Sequence, residues 1–257
     1  MTDQRALITG SSRGIGRSIA RALAQRGFAI ALHGRSLSGS LEEARAEIAA
    51  LGVQVTAIAG DLGEEGAAAR LLDQAETDLG PLTTLVSNAG VAPLRRGDLL
   101  DAQADSLDHC LALNARAPFF MLQDFARRLV ARDRSQDLVH AIVSVSSISA
   151  VAVSPNRADY CMSKAATAMM ARAFALRLAP EGIQVFDVQP GVIATDMSRA
   201  ALPEYERRIR DEGIIPLGRV GTSEEIGRLC AAAAAGDIPY AVGQVLRPDG
   251  GISVERL

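Results

Sequence analysis

Short β-type runs, each closed by a turn and followed by apolar residues at helical spacing, recur along the whole chain. Residues 5–9 form the first run, and Ile15, Ile19, Ala20, Leu23 and Ala24 mark the helix after it. Gly27 ends that helix, because such a cap needs the left-handed conformation. Strands are then expected at 28–32, 53–59, 82–86, 139–145, 183–188 and 244–247. Helices are expected at 41–51, 64–79, about 106–132, 159–178 and 223–235, with a loop region at about 196–219. Strands alternating with helices pair in parallel through right-handed crossovers, and helices then cover both sheet faces. No linker or repeat interrupts the pattern, so residues 1–257 read as one doubly wound α/β domain. In such a sheet ligands bind beyond the carboxyl ends of the strands, where the strand order reverses.

Composition narrows the function classes. The chain is 48% apolar but only 4% aromatic, so Ala, Leu, Ile and Val fill the core, as they do around a parallel sheet. The net charge of −3 is spread along the chain, without the basic stripe of a nucleic-acid binder or an acidic tail. No apolar run reaches membrane-spanning length and residues 1–9 are too polar for an export leader, so a cytoplasmic protein is expected. Cys110, Cys161 and Cys230 are too few and scattered for a disulfide framework, and His33, His109 and His140 lack metal-ligand spacing. Neither a metal nor a zinc-dependent chemistry is expected.

The first turn reads Thr9-Gly10-Ser11-Ser12-Arg13-Gly14-Ile15-Gly16. Gly10 can take angles barred to other residues, while Gly14 and Gly16 let the backbone approach a pyrophosphate. Free N–H groups and the helix dipole favour that anion. Further along, Tyr160-Cys161-Met162-Ser163-Lys164 places a phenol and an ammonium four apart on one helix face, just after the fifth strand. The run Val143-Ser144-Val145-Ser146-Ser147 offers hydroxyls at that strand's end.

The glycine spacing of the first turn resembles the TGxxxGIG signature of the short-chain dehydrogenase/reductase family, and the resemblance extends over essentially the whole chain. It implies a Rossmann-type, seven-stranded parallel sheet, a nicotinamide cofactor and oxidoreductase activity. By this resemblance Ser12, Arg13 and Ile15 join the three glycines at the cofactor, and Asp61-Leu62 frames the adenine. Ser87-Asn88-Ala89-Gly90 is similar to the family's NNAG motif, with Ser87 in place of the first Asn. Pro190-Gly191-Val192-Ile193-Ala194-Thr195 matches PGxxxT, with Val192 backbone groups and the Thr195 hydroxyl toward the carboxamide. The family spacing selects Ser147 as the catalytic hydroxyl, with Ser146 the nearest competitor. It also assigns Asn114 to a water that links Lys164 to solvent, and Lys164 to the nicotinamide ribose.

That set of residues suits the chemistry. Hydride transfer to a ketone leaves a developing alkoxide that needs a proton and stabilisation. A phenol of pKa about 10 is awkward near neutrality, and a Lys cation beside it favours phenolate. Tyr160 is thus expected to act as acid or base, with Ser147 holding the substrate oxygen. After the second strand the chain reads His33-Gly34-Arg35-Ser36, with no carboxylate to hold a ribose 2′-hydroxyl. Arg35 and Arg13 together suit a 2′-phosphate, so NADP(H) is expected over NAD(H).

The substrate is less determined. The later Pro216-Leu217-Gly218-Arg219 and Asp249-Gly250-Gly251 resemble chains of the 3-oxoacyl-acyl carrier protein reductase type, and sugar, polyol and steroid enzymes share these motifs. Arg127, Arg128, Arg132 and Arg134 would greet an acidic carrier protein or form a solvated helix end. Residues 196–219 correspond to a mobile flap in relatives, and relatives are mostly homotetramers built through long helices and the last strand. The remaining rival is a nucleotide-binding regulator without catalysis.

Overall fold

The computed structural model describes residues 3–255. All seven strands lie in one parallel sheet in the order β3-β2-β1-β4-β5-β6-β7. They are β1 (Arg5–Ile8), β2 (Ala29–Gly34), β3 (Val55–Ala59), β4 (Thr84–Ser87), β5 (Ala141–Val145), β6 (Gln184–Val188) and β7 (Val245–Leu246). The helices are α1 (Gly14–Ala24), α2 (Gly39–Ala49), α3 (Ala67–Leu79), α4 (Ala104–Leu111), α5 (Ala117–Ala131), α6 (Ala158–Leu178), α7 (Leu202–Glu212) and α8 (Ser223–Ala234). The order reverses between β1 and β4, which opens the crevice expected of a doubly wound sheet.

Alternation along each strand sends side chains into two separate cores. Ala6, Ile8, Ile30, Leu32, Val86, Val143 and Phe186 pack under α1, α2 and α8. Leu7, Ala31, Leu85, Ile142 and Val185 pack under α3, α5 and α6. Strands buried on both faces explain why their sequences are continuous apolar runs.

Local chemistry sets the boundaries. Gly27 and Gly52 follow their helices at φ 86° and 79°, as the sequence predicts. Helix α3 starts at Ala67, later than predicted, because Gly66 at φ 70° interrupts a helical path. Thr222 and Glu225 form a reciprocal capping box at α8. The helical stretch expected at about 106–132 runs without a break from Ala104 to Ala131, with α4 and α5 joined by a π-helical turn, Ala112–Arg116. One expectation is corrected. The expected loop at 196–219 contains α7, which lacks an apolar stripe because it buries only Ile209. Ion pairs such as Glu204–Arg207 and Arg208–Glu212 line its exposed faces. Among the described residues no helix is long and apolar enough to cross a membrane.

Helix α8 can lie against α1 only because Gly227 has no side chain. A Cβ there would stand 2.6 Å from the Ser18 carbonyl oxygen and 2.8 Å from its carbon, both backbone atoms. Gly227→Ala is therefore expected to destabilise the protein by about 1–3 kcal/mol, against its favourable helix propensity. Urea unfolding would measure this, and a variant as stable as the parent would refute the contact.

Candidate active site

The crevice begins at the glycine turn. Gly10 and Gly14 have φ of 64° and 56°, and a Cβ on Gly16 would sit 2.3 Å from the Gly10 oxygen. Three glycines are thus required by geometry alone. The N-terminus of α1 has no side-chain cap, which leaves its N–H groups to an anion. The site therefore fits a dinucleotide pyrophosphate. Asn88 fixes the turn against β4: its Nδ2 donates to the carbonyls of Thr9 (2.9 Å) and Gly10 (3.1 Å). Thr9 Oγ1 accepts the N–H groups of Asn88 and Ala89, both at 3.0 Å.

His33 locks the same turn from β2, a role that sequence reading missed. The Gly10 N–H donates to His33 Nδ1 at 3.1 Å, and Nε2 lies 3.0 Å from the Gly60 carbonyl. An amide can only donate and a carbonyl only accept, so the proton sits on Nε2 and the ring is neutral. Burial pushes the His33 pKa below its ordinary value, consistent with this tautomer.

Beyond the turn, Arg35 is exposed at the end of β2 and forms no ion pair among the described residues. Arg13 differs from the sequence expectation of a carboxylate-free pair: Asp196 Oδ2 lies 3.5 Å from its guanidinium. Both side chains are largely exposed, so this pair holds Arg13 only weakly. Asp61 makes an Asx turn to the Gly63 N–H (2.8 Å), with Leu62 half-buried beside it. On the far wall, a Cβ on Gly14 would lie 3.6 Å from Thr195 Cγ2, so the glycine turn faces Thr195 across the crevice. Gly191 packs on Asp249, where a Cβ would be 2.7 Å from its Cα, which joins the Pro190-Gly191 turn to the Asp249-Gly250-Gly251 motif. The Val192 carbonyl accepts Gly221 N–H at 2.9 Å, and Ile193 is buried.

At the carboxyl end of β5 the proposed catalytic groups converge. Lys164 is 5% exposed; its Nζ donates to the Val145 carbonyl at 3.2 Å and lies 5.8 Å from the Tyr160 ring centroid. Burial lowers its pKa to about 8, with Asp187 pulling the other way. Ser147 Oγ accepts the Ser149 N–H at 3.0 Å, and its side chain is near enough to the Tyr160 phenol to favour phenolate. The competing Ser146 is excluded: it is buried, and its hydroxyl is spent on Asp187 at 2.5 Å.

Asn114 lies in the π-helical turn and is 1% exposed. Its Oδ1 accepts Val91 N–H at 2.8 Å, and its Nδ2 donates to Val91 O (3.1 Å) and Ser163 Oγ (3.0 Å). Pro118, four residues on, has no N–H to give the Asn114 carbonyl. That oxygen accepts the Thr167 hydroxyl instead, at 2.6 Å. Gly90 is the small residue between them: a Cβ there would meet Asn114 Oδ1 at 3.0 Å and Lys164 Nζ at 3.4 Å.

Burial raises the Tyr160 phenol above its ordinary pKa, against the Ser147 side chain and the Arg157 charge, which favour phenolate. Asp187 is a second residue the sequence did not flag. It is 1% exposed, held by Ser146 and by Gln189 Nε2 at 2.7 Å, and burial keeps its pKa raised.

A family model described as enoyl-(acyl carrier protein) reductase matches residues 10–253. L-Rhamnose 1-dehydrogenase (NAD(P)(+)) of a Sphingomonas species is 32% identical over 248 residues, 96% of this chain and 95% of that protein. The 3-oxoacyl-acyl-carrier-protein reductase FabG of Staphylococcus aureus is 32% identical over 250 residues, covering 96% and 97%. A crystal structure of a 3-oxoacyl-acyl carrier protein reductase from Brucella melitensis in complex with NAD superposes with a TM-score of 0.95 at 35% identity, covering all of both chains. The chain belongs to the short-chain dehydrogenase/reductase family of nicotinamide-dependent oxidoreductases.

The neutral His33 ring gives a pH prediction. Its folded pKa lies below the unfolded value of about 6.5, so as pH falls below that value the unfolded chain binds the proton first and stability drops. His33→Asn keeps an acceptor for Gly10 and removes the titration. Denaturant titrations from pH 7 to 5 should show the parent losing more stability than the variant; parallel curves would refute it.

Proposed function

We propose that this short-chain dehydrogenase/reductase interconverts a ketone and a secondary alcohol with NADP(H), and that Tyr160 exchanges the proton. The observation that carries the reading is the meeting of Ser147, Tyr160 and a buried Lys164 at the end of β5, beside the glycine turn. When bound, the cofactor supplies or accepts the hydride, and its oxidised ring adds positive charge near the phenol. Ser147 directs its proton at the substrate oxygen, and Tyr160 donates its own to the alkoxide in reduction or takes one from the alcohol in oxidation. Lys164, with a pKa of about 8, is mostly charged at neutral pH and stabilises the phenolate that remains. Asn114, through the helix defect, holds the water path by which Tyr160 is reprotonated.

For the cofactor, Gly10, Ser12, Arg13, Gly14, Ile15 and Gly16 receive the phosphates, and Asp61 and Leu62 the adenine. Asn88, Ala89 and Gly90 floor the crevice. Tyr160 and Lys164 face the nicotinamide ribose, while Pro190, Gly191, Val192, Ile193 and Thr195 face the carboxamide. Arg35 is the specific support for a 2′-phosphate, being exposed, unpaired and without a neighbouring carboxylate at the end of β2.

Two substrate readings stand: a 3-oxoacyl thioester on acyl carrier protein or CoA, and a sugar or polyol. Both have relatives among the matches. Carrier docking on the arginine run gains no support from its geometry. Arg128 pairs with Asp73 and Glu76, Arg132 with Glu76, Arg127 with Asp124, and Arg134 donates to the Glu181 carbonyl. These side chains largely fasten α5 to its neighbours. The intact quartet argues against a non-catalytic regulator. A homotetramer fits the exposed Phe119 and Phe120 on α5, Met169 and Leu176 on α6, and Tyr240 and Val242 before β7.

Tyr160→Phe should cut turnover roughly 100- to 10,000-fold while NADPH binding, followed by nucleotide fluorescence, persists. Near-parental activity would overturn the mechanism. Arg35→Ala should lower kcat/KM for NADPH by about tenfold or more and leave NADH much less affected. Equal efficiencies of the two nucleotides in the parent would sink the preference. Rates on an acetoacetyl thioester against a panel of sugars would separate the substrate readings.

A further inference from the structure

Arg157 stands just before α6, over the Tyr160 ring. Its guanidinium carbon lies 5.5 Å from the Tyr160 ring centroid, and one terminal nitrogen donates to the Tyr205 hydroxyl of α7 at 3.4 Å. The side chain is half-buried and forms no ion pair among the described residues. The carboxylate nearest in sequence, Asp159, is already committed: Oδ1 accepts Tyr160 N–H at 2.8 Å and Oδ2 accepts the Ser106 hydroxyl at 2.5 Å. Of the flap's own acids, Asp196 is taken by Arg13 and Arg199, Glu204 by Arg207, Asp211 by Arg207 and Arg210, and Glu212 by Arg208; Glu206, exposed beside Tyr205, forms no ion pair among the described residues. A partly dehydrated guanidinium with donors to spare is left beside the phenol.

We propose that Arg157 and Tyr205 form a carboxylate-binding subsite, so that the substrate is an oxo acid or hydroxy acid with a free carboxylate a few bonds from the reacting carbon. The inference rests on the hydride-transfer reading above and deepens it. A planar guanidinium pairs with a carboxylate in two parallel bonds, which a thioester or a neutral sugar cannot offer. Tyr205 accepts from Arg157 and so keeps its own proton for the second carboxylate edge. Because α7 is anchored in the core only by Ile209, an anion shared by Arg157 and Tyr205 also fastens the flap over the substrate.

The NADP-loaded protein would be titrated calorimetrically with acetoacetate, 4-oxopentanoate and 5-oxogluconate, each against a neutral mate (methyl esters and the parent sugar). The same panel would be assayed with NADPH. At least one acid should bind about tenfold or more tightly than its mate. Arg157→Gln should reduce that preference roughly 10- to 100-fold, mainly through KM, with Arg157→Lys intermediate. Tyr205→Phe, which keeps the charge, should give a smaller loss and serves if Arg157→Gln does not fold. Acids binding no better than neutral mates, or a loss in Arg157→Gln equal for both, would overturn the subsite. Turnover of neutral ketones alone would overturn it while leaving the reaction intact. Selective acid binding without NADPH oxidation by any member of the panel would uphold the subsite and count against the reaction.

Discussion

An ammonium withdrawn from water, Lys164, is the constraint around which the crevice is arranged. Its displacement from 10.5 to about 8, net of the opposing pull of Asp187, corresponds to roughly 3 kcal/mol set against the charged form. The Val145 carbonyl, which projects where β5 ends, accepts one of its N–H groups. Because about 8 still lies above neutrality, the charge survives inside the protein. In a low-dielectric site it acts on the phenol more strongly than a surface lysine would. Tyr160 is held neutral by the same burial, so the two groups are poised from opposite sides: an acid raised and a base lowered.

The helix defect at Ala112–Arg116 lies beside the same centre. A regular helix would satisfy its carbonyls along its own axis, whereas here the Asn114 carbonyl accepts the Thr167 hydroxyl. Pro118 withholds one donor, the π turn widens the coil, and the Asn114 side chain swings into full bonding with Val91 and Ser163. An irregular turn of this sort persists only where surrounding contacts over-determine it. Thr167, Ser163 and Val91 are those contacts, and they come from α6 and from the segment after β4.

What the sequence made legible was local or periodic. Strand runs, the Gly27 and Gly52 caps, the glycine turn and the four-residue step from Tyr160 to Lys164 are properties of a few neighbouring residues, and the structure reproduces them. Helix α7 was not legible, because a helix that buries one residue and stabilises itself by ion pairs leaves no apolar stripe. His33 and Asp187 were hidden for another reason. A lone histidine or aspartate in an apolar strand has no pattern, and its meaning comes from partners such as Gly10 and Gly60, or Ser146 and Gln189. The raised Tyr160 phenol belongs to the same class: the depth of burial that outweighs Ser147 and Arg157 is not visible in the sequence.

Many guanidiniums are answered by carboxylates, Arg17 by Glu47, Arg26 by Asp237, Arg128 by Asp73 and Glu76, and Arg219 by Glu225, while Arg96, Arg116, Arg172, Arg228 and Arg247 form no ion pair among the described residues. Arg35 and Arg157 have no such partner among the described residues, and they stand near opposite ends of the crevice. A cation left unanswered in a chain of net charge −3 keeps its attraction for an incoming anion. On the reading proposed above, that anion is a ribose phosphate at one end and a substrate carboxylate at the other, and between them the glycine turn, Asn114, Ser147, Tyr160 and Lys164 would perform a reaction indifferent to either. Chemistry and choice are thus carried by different residues, which is how one fold hosts many substrates by changing its rim and keeping its centre.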